Sequence, residues 1–376
     1  VQVRRLGNTV YADAREHLHE LFDQIARDLE RIDPTGPELE KWRRYRTDQF
    51  IDRLDERLKA AIPAWEKEVR AGVAAAGRSQ GQWAADTLIA TLGKEVGEEV
   101  IKPTPITQNL VRTILNTHPF GGEGQQFLLS EWSESLSTAT RKRIIKQVRT
   151  GMLFEESIPE ITARLIGKEA GTRVNAAGQV VPRYVGGVYR TARRDAEAIV
   201  RTAVTYVSSE AHLQTFRANA HALLGVQYSA TLDERTTEMC LALDGSIWRV
   251  DSEEIVVPGL HTHMGCRSTL VPVPDYEKFG LEPPPEGYRM ARDLSGVSDA
   301  DLAKKISTRR SEGLLGKSRR ISSKTLAEEW LRGQPKRIQV KALGKGKAEL
   351  FREGKISLKD LITDDLETVP LKDLVG

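Results

Sequence analysis

"VQYSATLDERTTEMCLALDGSIWRV" (226–250) is where the pattern of this chain changes. Before it, apolar residues recur at steps of three and four, the signature of buried helix faces. Within it, "VQYSAT" (226–231) and "SIWRV" (246–250) are short β-type runs, and Asp244-Gly245 between them is a turn signal. A third such run, "TLVPV" (269–273), follows. A small sheet therefore succeeds a helical body, and the fold class is α+β, predominantly α-helical.

The same stretch holds Cys240, one of only 2 cysteines; the other, Cys266, lies in "HTHMGCRS" (261–268) with His261 and His263. His263 and Cys266 stand as H-x-x-C, a spacing that lets one turn offer both side chains to a single ion. Zinc favours thiolate sulfur and imidazole nitrogen in a tetrahedron. Cys240, His261 or His263, and Cys266 are thus candidate zinc ligands, with Asp233 as a carboxylate reserve. Thr237 occupies the position three before Cys240 and is a poor ligand. A second reading makes both cysteines small buried core residues whose neighbouring histidines satisfy local hydrogen bonds. A third makes the cluster catalytic, with a Cys–His nucleophile or a metal-dependent nuclease built on Asp233, His261 and His263. No P-loop, nucleophile elbow or H-E-x-x-H accompanies it.

Upstream, the first hundred residues read as long helices. Phe22, Ile25, Leu29 and Ile32 mark one face. "DPTGPELEKW" (33–42) breaks the chain, and a second helix is expected from Leu39 to about Ala76, with Phe50, Leu54, Leu58, Ile62 and Trp65 as its stripe. The prolines of "IKPTPITQNL" (101–110) mark a linker. Helix is expected over 125–150. Another should run over 157–167, with Ser157 and Glu160 at capping-box spacing and Gly167 as its stop. "AGTRVNAAGQVVPRYVGG" (170–187) reads as a hairpin or surface loop before a helix over 190–220. Downstream of the sheet, "LEPPPEG" (281–287) opens a tail. It carries Lys304, Lys305, Arg309, Arg310, Lys317, Arg319, Arg320 and Lys324 against a single acid, Glu312. Short helices are expected at 323–334, 341–354 and 357–362. The organisation is a helical arm (1–100), a central core (101–274) and a basic extension (275–376).

The bulk composition sets limits. The 376 residues give room for two or three ordinary cores. A net charge of +3 does not define a nucleic-acid-coating protein. No apolar run is long enough to span a membrane, and the opening residues show no apolar export segment. Free or metal-bound thiols are expected rather than a disulfide.

"ATLDERTTEMCLALDGSIW" followed by "HTHMGCRSTLVPV" resembles the core of the phage Mu F-like minor head proteins, also called head-morphogenesis proteins. That pattern runs Asp-x-Arg-Thr-Cys-x-x-Cys, Leu-Asp-Gly, then His-Pro-Asn-Cys-Arg-Cys before an apolar strand. Asp233, Arg235, Thr236, Cys240, Leu243, Asp244, Gly245, His263, Cys266 and Arg267 fall on it, and Arg201-Thr202 match its Arg-Thr helix. Thr237, Met264-Gly265 and Ser268 depart from it. The resemblance implies a structural virion protein, present in few copies inside the head near the portal after assembly in the host cytoplasm, acting in head assembly and in genome packaging or ejection. The implied partners are the portal protein, the major capsid or scaffolding protein, and packaged double-stranded DNA, with the eight basic tail residues as DNA contacts. Asp233, Arg235, Asp244, Gly245 and Arg267 would be structural. The rival expectation is a metal-dependent nuclease or a phage-delivered, toxin-like effector.

Overall fold

The computed structural model describes residues 2–30, 39–122, 125–154, 156, 158–174, 178, 180–284, 287–298 and 317–374. The described residues are mostly helical, with small antiparallel sheets, as the sequence pattern predicts. The chain forms two compact units: Val1–Ser79 with Ile106–Ser208, and Gln80–Pro105 with Ser209–Gly376.

The first unit is helical. α1 (Gln2–Glu30) buries Ala14, Leu18, Leu21, Phe22, Ile25 and Leu29 on one face; Ile32 lies outside the described residues. α2 (Leu39–Leu92) buries the expected stripe Phe50, Leu54, Leu58, Ile62 and Trp65, then Val69 and Val73. It does not stop near Ala76. No proline follows Pro63, and Ala84, Ala85, Leu88 and Leu92 carry the apolar period onward into the second unit. Gly77 is tolerated in mid-helix because Val207 comes close there: a Cβ at 77 would meet its Cγ1 at 2.8 Å. α3 (Lys94–Val100) and α4 (Gln108–Thr117) flank the proline segment.

α5 (Leu129–Leu153) begins four residues later than the sequence suggests, where the Glu131 carboxylate accepts from the Leu128 amide at 2.6 Å. It is anchored sideways by Arg141 on Asp55 of α2 and Arg143 on Asp195. α6 (Ile158–Ile166) ends at Gly167, whose φ of 89° only glycine adopts readily. Ser157, the expected cap, lies outside the described residues. β1 (Lys168–Val174) and β2 (Val180–Val185) pair antiparallel. α7 (Gly187–Ala218) then runs on into the second unit.

In the second unit the proline segment is pinned by Asn219, which exchanges hydrogen bonds with the Lys102 amide (2.8 Å) and carbonyl (3.0 Å). β3 (Leu223–Ser229), β4 (Ile247–Trp248) and β5 (Thr269–Pro274) make an antiparallel sheet in the order β4-β3-β5. α8 (Glu238–Leu243) lies in the β3–β4 connection. A second ribbon, β6 (Tyr288–Asp293) with β7 (Lys317–Ser322), was not foreseen, because "YRMARD" and "KSRRIS" lack apolar alternation. α9 (Ala327–Arg332), α10 (Lys336–Leu343) and α11 (Lys345–Arg352) follow. Gly344, at φ 75°, divides what the sequence reads as one helix over 341–354. The stretch 357–362 holds only a 3-10 turn, Lys359–Leu361, and the last helix is α12 (Leu371–Leu374).

His212 on α7 is 1% exposed, between Trp83 and Phe216, with Nε2 on Gln80 Oε1 at 3.1 Å. Burial lowers its pKa to about 4. The unfolded chain therefore takes up this proton first as pH falls, so the stability is fully present above about pH 6.5 and is lost down to about pH 4. We expect denaturant titrations to show a loss of roughly 3 kcal/mol across that window from this residue. His212→Leu should flatten the curve by that amount; an identical slope in the variant would contradict the assignment.

Candidate metal centre

Three side chains from two segments converge beside β3. Thr237 caps α8, its hydroxyl accepting from the Cys240 amide at 3.4 Å, and this sets Cys240 on the first turn of the helix. A turn joins the His263 carbonyl to the Cys266 amide at 3.2 Å and places both residues of the H-x-x-C against Cys240. The two sulfurs lie 3.8 Å apart, and Cys240 Sγ lies 3.2 Å from His263 Nε2. His263 Nδ1 faces the Met264 carbonyl at 3.0 Å. A carbonyl only accepts, so Nδ1 carries the hydrogen of the neutral ring and Nε2 presents its lone pair to the cluster.

The hydroxyl of Tyr228 on β3 stands 3.3 Å from Cys240 Sγ and 3.8 Å from Cys266 Sγ. Hydrogen bonding from Cys266 holds the Cys240 thiol down to about 6 against the burial that opposes it, with help from the Thr237, Tyr228 and Ser268 hydroxyls. The bond to Cys240, then burial, pushes Cys266 well up. Burial, then the two sulfurs, does the same to Tyr228. The arrangement is a pair of thiols holding one readily lost proton, ringed by donors.

Cys240, His263 and Cys266 have the composition of a zinc donor set, and their ligand atoms all lie within 4.8 Å of one another. Tetrahedral Zn–S bonds near 2.3 Å imply an S···S edge of about 3.8 Å, which the two sulfurs match. The structure does not bring His261 to this cluster. Its Nδ1 accepts from the Val257 amide at 3.1 Å, closing its own loop, and burial lowers its pKa. Asp233 is also committed elsewhere. Arg267 grips it through both guanidinium nitrogens, one at 2.7 Å, and the Arg235 amide donates to it at 2.9 Å. Burial would raise Asp233, but the hydrogen bonds and charge of Arg267 outweigh it and hold the carboxyl below its ordinary value. The Arg235 side chain is exposed.

Asp244 heads a second buried cluster. Its carboxylate accepts from the Ala230 amide (2.7 Å), both terminal nitrogens of Arg289 (2.9 Å each) and the Ala327 amide (2.8 Å). Gly245 completes the turn at φ 86°, and a Cβ there would meet Leu326 Cδ2 at 2.7 Å. Arg201 pairs with Asn8 and Glu197, and Thr202 is buried against the Ala198 carbonyl. Of the basic tail, Lys317, Arg319 and Arg320 stand exposed on β7 with Lys324 just beyond it; Lys304, Lys305, Arg309 and Arg310 lie outside the described residues. Arg320 covers the Tyr288 ring at 4.3 Å. Sequence reasoning missed Tyr228 and Arg289. The first was legible only as a strand residue, and the second only as one basic residue among many.

The class this defines is a helix-dominated α+β protein whose polar centre is a scaffold of buried ion pairs and a thiol–imidazole cluster. Residues 138–271 match the family described as "Phage Mu protein F like protein". Over that segment, about a third of its length, the chain is similar to the phage Mu F-like proteins. No curated protein and no solved structure gives a significant match.

Asp244→Asn keeps the shape but leaves the Arg289 charge, 13% exposed, without its anion. Equilibrium unfolding should show a loss of about 3–5 kcal/mol. Asp251→Asn, which removes the exposed pair with Arg249, should leave the midpoint unchanged. Equal effects of the two would refute a structural role for Asp244.

Proposed function

We propose that this chain is a minor head protein of a tailed bacteriophage, carried inside the capsid at or near the portal and acting as a structural component. The observation that carries the reading is the family match over 138–271, which spans α7, β3, β4, the start of β5, the Asp233–Arg267 pair and the thiol–imidazole cluster. The chemistry supports a scaffold: Asp233 and Asp244 are each engaged by an arginine and backbone amides. Asp233, on which a nuclease reading depends, is bound to Arg267. Among the described residues no helix is long and apolar enough to cross a membrane.

In this proposal the partners are the portal, the major capsid or scaffolding protein, and packaged double-stranded DNA. The exposed cations of β7 suit phosphate contacts, which would weaken with salt. Zinc is the ion the Cys240–His263–Cys266 donors suit, and its role would be to tie α8 to the 263–266 turn.

Mass spectrometry of purified particles should find the chain, and cross-linking should recover it with the portal. Its presence in infected lysate but never in particles would reject the proposal. For the metal, elemental analysis should find about one zinc per chain. Cys266→Ser should abolish it, and a chelator should lower the melting temperature of the parent only. A metal-free parent, indifferent to chelator, would leave the cluster as hydrogen-bonded thiols.

A further inference from the structure

α5 turns one face inward and one outward, and the two treat charge differently. Leu136, Thr140, Ile144 and Val148 are buried on the inner face. The cations beside that face are matched within the unit, Arg141 by Asp55 and Arg143 by Asp195. On the outer face Lys142, Lys146 and Arg149 are exposed, and among the described residues they make no ion pair. The same outer face carries Glu131 and Glu134 near the start of the helix. Acid and base cannot meet along one helix: Glu134 and Lys146 are about 18 Å apart at 1.5 Å rise per residue. The i,i+4 partner of Glu134 is Thr138, and that of Thr138 is Lys142, so no pair forms at helical spacing either.

The outer stripe is symmetric about Thr140 in spacing, and two of its three pairs set an acid against a base. Thr138 and Lys142 lie equally far from it on either side, as do Glu134 and Lys146, and Glu131 and Arg149. Each acid is thus matched in position by a base. Two exposed apolar side chains flank the charges: Phe127 (37% exposed), two residues before the helix, and Leu153 (78% exposed), its last residue, equally far from Thr140 along the sequence. A stripe of this kind is complementary to itself reversed.

We infer that the outer face of α5 is an interface with a second copy of this chain, the two helices running antiparallel across a two-fold axis at the level of Thr140. In that register Glu134 meets the partner's Lys146 and Glu131 meets the partner's Arg149, each contact occurring twice, as an isologous interface requires. Phe127 covers the partner's Leu153 at both ends and withdraws an exposed apolar side chain from water. Helix macrodipole compensation accounts for Glu131 in the first turn but not for Glu134, Lys142 and Lys146 in mid-helix, where that effect has faded. One helix face buries less area than a permanent dimer needs, so the association is reversible and sensitive to salt.

Sedimentation of the full chain over a concentration series should show a monomer–dimer equilibrium that weakens with added salt. Glu134→Lys alone, or Lys146→Glu alone, sets like charges opposite each other twice and should weaken association roughly tenfold. The double variant E134K/K146E restores both pairs and should recover the parental equilibrium. A mixture of the two single variants should form heterodimers more readily than either forms homodimers. Circular dichroism of these surface variants should match the parent. A chain that stays monomeric throughout, or a dimer indifferent to both single reversals, would overturn the inference.

Discussion

The second unit is organised around one carboxylate. Asp244 is wholly inaccessible, and withdrawing it and Arg289 from water costs several kcal/mol per ion unless every lone pair is used. Here they are used: four donors converge from the end of β3, from β6 and from the first turn of α9. The other hydrogens of the two terminal nitrogens of Arg289 go to the Ala230 and Thr325 carbonyls. The Asp-Gly turn therefore fastens the ribbon and the terminal helices to the sheet. The consequence is geometric as much as energetic: a chain reversal two residues long fixes where a segment more than forty residues downstream begins its fold.

The thiol cluster depends on the same strand. Tyr228 donates its amide to the Ser246 carbonyl and accepts from the Gly245 amide, both at 2.9 Å, so its backbone is locked to the Asp244 turn. Its side chain reaches between the two sulfurs. Thr237 and Ser268 stand where the family pattern has cysteines, and both place hydroxyls at Cys240 instead. Replacing a sulfur ligand by a hydroxyl trades a metal bond for a hydrogen bond. The site thereby keeps two sulfurs and an imidazole close together while strengthening Cys240 as an acceptor.

Local signals made much of this legible, and the reasons for the rest are physical. Helix faces in α1 and α2, the breaks at Gly167 and the prolines, and the three strands of the sheet all follow from periodicity and turn chemistry that act within a few residues. The convergence of Cys240, His263 and Cys266 was half legible, because H-x-x-C spacing brings two donors together by itself. His261 and Asp233 were indistinguishable from ligands in sequence. Only tertiary structure commits them to Val257 and Arg267. The β6–β7 ribbon was invisible because its strands owe their pairing to what lies beneath them, Arg289 on Asp244 and buried Ala291, rather than to an alternating apolar pattern.

That difference between local and acquired order also separates the two kinds of charge in the molecule. Buried charges, Asp233 with Arg267 and Asp244 with Arg289, are individually matched, because an unmatched one would cost more than the fold can tolerate. Exposed charges face no such demand, and water solvates them singly. An exposed stripe sorted by sign along α5 therefore cannot be explained by the stability of its own unit, whose nearby arginines already have their carboxylates. Ordering that the folded chain does not require points outward, to another surface. The symmetry of that ordering about Thr140 makes the helix itself, reversed, the surface that matches it best.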